Sequence, residues 1–387
     1  MDKLRDYQEE SVEKSLEFLL NPEEKNNGLI ILPTGAGKSL VIAYIALLLD
    51  APVLILQPSK EILEQNYQKL LNYGAFDVSI FSASMNQKRI SKITVATVGS
   101  VINKLQLFQQ FKYIIIDECD LINPYEGQYK RLIESLKCKV LGLTATPFRM
   151  YNNSFGTELR FLTRTHPSVL KKVVHVEQIK KLCDRGFWAK LNYHQIKGFD
   201  SSNLRVKSTG SGYTDESLKQ YYQEIKFESK LAKVVDRLID IGRKNILIFT
   251  EFVEEARVFA EIYPKISAMV SGETPKTERE QILADFKSGK IKMIANVGVL
   301  TVGFDFPELE TIVIAKPTLS LRLYYQMIGR GVRPHKNKKE CWVVDLCENY
   351  KRFGKVEDII IQKDFKGHWI LHNGEKQLTN VYYRNVK

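Results

Sequence analysis

The sequence predicts an α/β protein of two tandem lobes, each a parallel sheet covered by helices on both faces. Three observations predict it: short apolar runs recur, helical stretches lie between them, and the alternation occurs twice in 387 residues, long for one core. Residues 29–32 form an unbroken apolar run ending at Pro33 and Gly35, as expected of a strand buried on both faces. Runs at 53–56, 93–96, 113–116 and 140–143 repeat it, with helix-like segments such as 61–71 between. The pattern returns at 245–249, 266–270, 292–295, 311–315 and 342–345, with helices expected at 254–262, 277–287 and 321–328. The expected division is 1–165 for the first lobe, 166–226 for a connector or insert, 227–350 for the second lobe and 351–387 for a C-terminal tail. Within the connector, the Ser- and Gly-rich stretch between Asp200 and Tyr213 reads as a flexible loop.

Composition narrows the class. With 44% hydrophobic and 26% charged residues the chain reads as an ordinary globular protein rather than a disordered one. No apolar run reaches the ~18–20 residues a membrane span needs, and the first residues lack the apolar stretch of a signal peptide. A cytoplasmic protein is expected, with no membrane partner. A net charge of +12 favours a polyanionic partner. The five cysteines, Cys119, Cys138, Cys183, Cys341 and Cys347, never stand in a C-x-x-C spacing, which suits reduced thiols better than a disulfide framework or a zinc site.

Three motifs carry chemistry. Pro33-Thr34-Gly35-Ala36-Gly37-Lys38-Ser39 follows a buried strand and opens a helix. Glycines there let backbone N–H groups turn toward a phosphate, and the helix N-terminus adds partial positive charge. Lys38 can reach the β- and γ-phosphates, and the Ser39 hydroxyl can ligate Mg²⁺. Leu32 stands where the strict phosphate-loop pattern has its first glycine. Asp117-Glu118-Cys119-Asp120 closes a strand, placing acids at the edge where open α/β sheets bind ligands. Asp117 suits Mg²⁺, and Glu118 suits orienting or deprotonating a water. Arg330 and Arg333 stand three apart, so on a helix they share a face and can clamp a γ-phosphate. Two aromatic stretches, 213–227 and Arg185-Gly186-Phe187-Trp188, fit either base stacking or packing; helical spacing in the first favours packing.

In this order the motifs resemble helicase superfamily 2 (DEAD/DEAH-like, RecQ-related) over nearly all of residues 4–350. The resemblance implies two RecA-like lobes with an ATP cleft between them, and ATP and Mg²⁺ as cofactors. It assigns Arg5 and Gln8 to the adenine, residues 33–39 to motif I, Asp117 to Asp120 to motif II, and Thr144 and Thr146 to motif III, which couples hydrolysis to strand binding. Pro58, Ser59, Thr97, Thr250 and Thr301 would touch nucleic acid. Gly303 and Asp305 would approach the nucleotide, and Gln326, Arg330 and Arg333 form motif VI. Within the superfamily the motifs are similar to those of RadD-type DNA-repair ATPases. No cysteine follows Cys347, so the four-cysteine zinc module of that type is not expected.

The implied function is an ATP-dependent DNA helicase or translocase in repair, recombination or fork remodelling, in a bacterial or phage-infected cell. Its partner would be single-stranded or branched DNA, with repair or single-strand-binding proteins as companions. A nucleic-acid-stimulated ATP switch, an RNA helicase and a motor subunit of a nuclease or restriction complex remain alternatives.

Overall fold

A computed structural model describes residues 3–153, 156–207, 210, 212–301 and 304–383. The first lobe carries β1 (Gly28–Ile31), β2 (Val53–Gln57), β3 (Val78–Ser82), β4 (Gln87–Lys88), β5 (Ile93–Thr97), β6 (Tyr113–Asp117) and β7 (Lys139–Thr144). Helices α1 (Asp6–Leu20), α2 (Lys38–Leu48) and α3 (Lys60–Asn72) precede or link them. A hairpin of β8 (Phe148–Asn153) and β9 (Gly156–Phe161) follows, then β10 (Lys172–Val176). The sheet order is β10-β1-β7-β6-β2-β5-β3-β4, parallel except at β4. Every residue of β1 and β2 is buried, which is why these strands read as continuous apolar runs.

The second sheet runs β11-β16-β15-β12-β14-β13, all parallel, from β11 (Lys190–Gln195), β12 (Ile246–Thr250), β13 (Ser267–Val270), β14 (Met293–Asn296), β15 (Thr311–Ala315) and β16 (Glu340–Asp345). Residues 166–226 are divided between the lobes, since β10 joins the first sheet and β11 the second. Six short strands of the lobes escaped the periodicity reading: β3, β4, β10, β11 and both hairpin arms, β8 and β9, lack a continuous apolar run. Helix Leu321–Ile328 forms over the expected residues, and Val253–Ile262 and Lys276–Lys287 begin one residue early.

The aromatic stretch is core. Leu218, Tyr221 and Tyr222 are buried, and the Tyr222 and Phe227 rings stack 4.1 Å apart at 15°. Of the expected loop, Ser208, Thr209 and Ser211 lie outside the described residues, while Tyr213 is buried and its hydroxyl accepts from Arg352 at 3.0 Å. Residues 351–383 do not trail away. They form β17 (Ile359–Lys363), β18 (Trp369–Asn373), β19 (Lys376–Gln377) and β20 (Tyr382–Tyr383), and β20 pairs with β9 of the first lobe. Trp369 stacks on Phe161, and the Asn380 N–H donates to the Leu159 carbonyl at 2.6 Å. The C-terminal segment thus ties the two lobes together.

Candidate active site

The carboxyl ends of the first sheet gather the motif residues. β1 runs into the phosphate loop, β2 ends at Gln57, β5 at Thr97, β6 at Asp117 and β7 at Thr144. This edge is where parallel sheets present loops and helix N-termini to ligands. Gly35 and Gly37 take positive φ values of 79° and 86°, a conformation L side chains rarely adopt, and α2 starts immediately at Lys38. Leu32, where the strict pattern has a glycine, is fully buried and its N–H donates to the Thr144 carbonyl, so the chain is still strand-like there.

Lys38 Nζ stands 3.3 Å from Glu118 Oε1, both side chains under a fifth exposed. Glu118 itself is held at φ 49°, and its N–H donates to Asp117 Oδ1 at 3.0 Å. A non-glycine residue in that region is strained, and such strain concentrates at functional sites. Burial first, and then the Glu118 charge, push the Asp117 carboxyl up to about 7. A divalent cation beside it would offset both effects. With the Ser39 hydroxyl next to the same network, the donors are all oxygen, as hard Mg²⁺ prefers. The residues fit the metal.

The second lobe closes directly on the phosphate loop. The Thr34 N–H donates to the Tyr325 hydroxyl at 3.2 Å, and the Trp188 indole N–H donates to the Thr34 carbonyl at 3.0 Å. A Cβ on Gly329 would stand 2.8 Å from Thr34, and one on Gly35 would stand 3.3 Å from Val332, so these glycines permit the approach. Gln326 is buried, Arg330 Nη1 donates to the Phe304 carbonyl at 2.7 Å, and Arg333 pairs with Asp305. Burial and the neighbouring Arg333 charge lower Arg330 to about 10, the direction an anion at this spot would reverse. Lys69 of α3 is lowered by burial and then by Arg333, with Asp305 and Asp117 opposing, so groups of both lobes converge there. Gly303 lies outside the described residues.

Around motif III, Thr144 Oγ1 donates to Asp120 Oδ1 at 2.8 Å and accepts from the Thr146 N–H at 3.0 Å. Asp120 also holds Arg322 of the second lobe, across the cleft. Gln8 is buried, with its amide N–H donating to the Ala36 carbonyl at 2.8 Å and its oxygen accepting from the Arg5 N–H at 3.0 Å. Here Gln8 braces the phosphate loop, and the nearby aromatic is the partly buried Phe187, with the Arg5 guanidinium 4.1 Å from its ring centre.

The expected strand contacts divide. Pro58, Ser59, Thr97 and Thr301 are each partly exposed. Ser59 caps α3, accepting from the Ile62 N–H at 3.3 Å, and the Thr97 and Ser100 hydroxyls share a 2.9 Å bond. Thr250 is fully buried with its hydroxyl donating to the Phe252 carbonyl, so its side chain offers nothing to a passing strand. Sequence reading missed Asn66, Lys69, Trp188, Arg322 and Tyr325. A buried asparagine on the apolar stripe of Leu63 and Leu70 was the one legible signal among them.

Comparisons with known proteins agree with this geometry. The family described as the type III restriction enzyme res subunit matches residues 1–149, and the helicase conserved C-terminal domain matches residues 229–335. Together the two matches support a helicase of superfamily 2. The helicase is 27% identical over 361 residues to a 51.5 kDa protein of a Lactococcus phage, covering 91% of this chain and 73% of the relative. It is 25% identical over 374 residues to the DNA 3'-5' translocase XPB2 of Sulfurisphaera tokodaii, covering 89% and 81%. Its fold matches the DNA-bound ATP-dependent Type ISP restriction-modification enzyme LlaBIII with a TM-score of 0.64 at 18% identity, covering 89% of this helicase and 28% of the larger chain. As an enzyme of this superfamily the helicase uses ATP with Mg²⁺. Among the described residues no helix is long and apolar enough to cross a membrane, and all five cysteines are free.

Proposed function

We propose that this helicase is a DNA-dependent ATPase that moves along DNA, with its ATP site built from Lys38, Ser39, Asp117 and Glu118 of the first lobe and Asp305, Arg330 and Arg333 of the second. The observation that carries the reading is the interlocking of the phosphate loop with motif VI through Thr34, Tyr325 and Gly329. In this reading Lys38 exchanges Glu118 for the β- and γ-phosphates, which frees the Glu118 carboxylate to orient the attacking water. Ser39 and Asp117 would hold Mg²⁺, whose positive charge would offset that of the phosphates. Arg330 and Arg333 meet the charge that develops on the γ-phosphate, Arg333 leaving Asp305 to do so. Because the site is split, lobe closure and hydrolysis are linked, and a strand lying across Pro58, Ser59, Thr97 and Thr301 is displaced with each cycle. The basic balance of the chain suits phosphate tracking with little base preference.

Single-stranded or branched DNA in repair or fork remodelling, the setting of the RadD-type likeness, is one version of this reading, with repair or single-strand-binding proteins as companions and the cytoplasm as its place. A second version is a motor that serves a separate restriction or nuclease module; the match of residues 1–149 to a restriction res subunit favours it. ATP turnover measured with single-stranded, duplex, forked and four-way-junction DNA, with RNA controls, tests the proposal. Turnover should rise at least tenfold with DNA, and Lys38→Ala should abolish it with the fold intact. Stimulation by RNA alone, or wild-type turnover by the Lys38 variant, would overturn it. Displacement of a third strand from duplex without unwinding would favour the restriction-motor version.

A further inference from the structure

Asn66 projects from α3 into the space between the phosphate loop and the acidic end of β6. Its side chain is buried and makes three hydrogen bonds. It accepts from Ser39 Oγ at 2.7 Å and donates to Gln57 Oε1 at 3.0 Å and to Asp117 Oδ2 at 3.3 Å. The chemistry of the partners fixes the orientation of its amide. A carboxylate that holds a cation is ionised and only accepts, so the NH₂ faces Asp117 and the carbonyl faces Ser39. The Ser39 hydroxyl must then be the donor, its proton directed at Asn66 and its lone pairs left for another group. A hydroxyl that ligates a cation needs that arrangement, since a proton aimed at the metal repels it.

We infer that Asn66 is a positioning residue for Mg²⁺, setting the Ser39 hydroxyl and the Asp117 carboxylate as a matched pair of oxygen donors; this rests on the reading of those two residues as the metal-holding pair. Helix α3 keeps it in place. Leu63 and Leu70 on the same face are 0% and 2% exposed, and Ser59 caps the helix, so the Asn66 amide has no room to swing. Gln57 backs it from the second side, its oxygen taken by Asn66 and its Nε2 buried without a partner. Partners that orient metal ligands typically change metal affinity 10- to 100-fold when removed.

The test is binding of fluorescent mant-ADP to the full chain, first in excess EDTA and then as Mg²⁺ is titrated, with Mn²⁺ paramagnetic resonance as an independent measure of metal bound beside ADP. The variants are Asn66→Ala, Asn66→Leu, which keeps the volume and loses all three bonds, and Ser39→Ala. The expected result is EDTA affinity within about twofold of wild type for both Asn66 variants, with the Mg²⁺ midpoint raised about tenfold or more and Mn²⁺ occupancy reduced in step. Ser39→Ala should lose the Mg²⁺ response outright. Asn66 variants with a wild-type midpoint while Ser39→Ala has lost the response would overturn the inference alone. A Ser39→Ala protein that keeps the response would overturn the metal-site reading beneath it. Asn66 variants equally weak with and without Mg²⁺ would assign Asn66 to holding the phosphate loop instead.

Discussion

Arg322→Ala should loosen the docking of the two lobes. Arg322 stands in the first turn of helix Leu321–Ile328 and its guanidinium pairs with Asp120 Oδ2 of the first lobe. The Asp120 side chain is 1% exposed, and besides Arg322 it accepts from the Thr144 hydroxyl, while Arg149 donates to its backbone carbonyl. Burial and then the Glu118 charge push the Asp120 carboxyl up, and Arg322 opposes both. Removing one partner of a buried pair costs ~3–5 kcal/mol, because the other charge stays desolvated. Arg322 is 29% exposed, so the lower end, about 3 kcal/mol, applies here. The molecule can avoid that cost by parting the lobes and letting water reach Asp120, so the open-to-closed ratio should rise by about 100-fold. Small-angle scattering should show a larger radius of gyration, and ATP turnover should fall while the melting of each lobe changes little. Adding Asp120→Asn removes the stranded charge and should recover part of the compactness, a coupling that a double-mutant cycle reads directly. An Arg322→Ala protein with wild-type scattering and turnover would refute the assignment of closure energy to this pair.

Two further substitutions test other parts of the reasoning. Burial raises the carboxyl of Glu255, in the first turn of helix Val253–Ile262, from an ordinary 4.5 to about 8, although it accepts from the Glu251 and Phe252 N–H groups. The folded chain therefore keeps a proton between those values that the unfolded chain has lost, so this group's contribution to stability falls as pH rises through that window. Glu255→Gln should remove that slope and be more stable than wild type at pH values higher than about 8, by up to ~5 kcal/mol; an unchanged pH profile of the melting temperature would count against it. Gly37→Ala forces a side chain into a φ of 86° and against the Gln8 amide, so labelled ADP should bind at least tenfold more weakly while the melting temperature moves little. Retained nucleotide affinity would mean the loop has another way to cradle phosphates.

How much of this was legible depends on how locally each feature is encoded. The buried strands of both sheets announced themselves because a strand covered on both faces must be apolar at every position. The phosphate loop and the acids of motif II were legible for the same reason, since their chemistry fixes residue type at a fixed offset from a strand. What pattern could not show is partnership across long sequence separation. Tyr325 carried no reading of its own and Trp188 fitted either base stacking or packing, yet their polar atoms both end on Thr34, 291 and 154 residues away. Gln8 looked outward to a base and instead turns inward to Ala36. Thr250 ends a strand, and a strand end can be as buried as its middle. The hairpin β8–β9 was missed because it carries polar residues such as Thr157 and Glu158 even at buried positions, and the C-terminal strands because their alternation is short.

The interlobe contacts bear on how the cycle is driven. Each bond to Thr34 contributes about 1 kcal/mol and the Arg322–Asp120 pair a few more. Their sum is of the same order as the differential affinity a ligand needs to move a two-state equilibrium from one side to the other, about 5.5 kcal/mol. A latch much stronger than this would hold the cleft shut whatever was bound, and one much weaker would let nucleotide close it without regard to the strand. In the proposed cycle the latch also ends on residues the cycle would use, since Thr34 belongs to the phosphate loop and Asp120 holds Thr144 of motif III. Opening the cleft therefore cannot leave either motif undisturbed, and a strand that shifts motif III changes the same contacts that hold the arginines over the site. Coupling in this fold is then a shared set of bonds rather than a signal passed between separate ones.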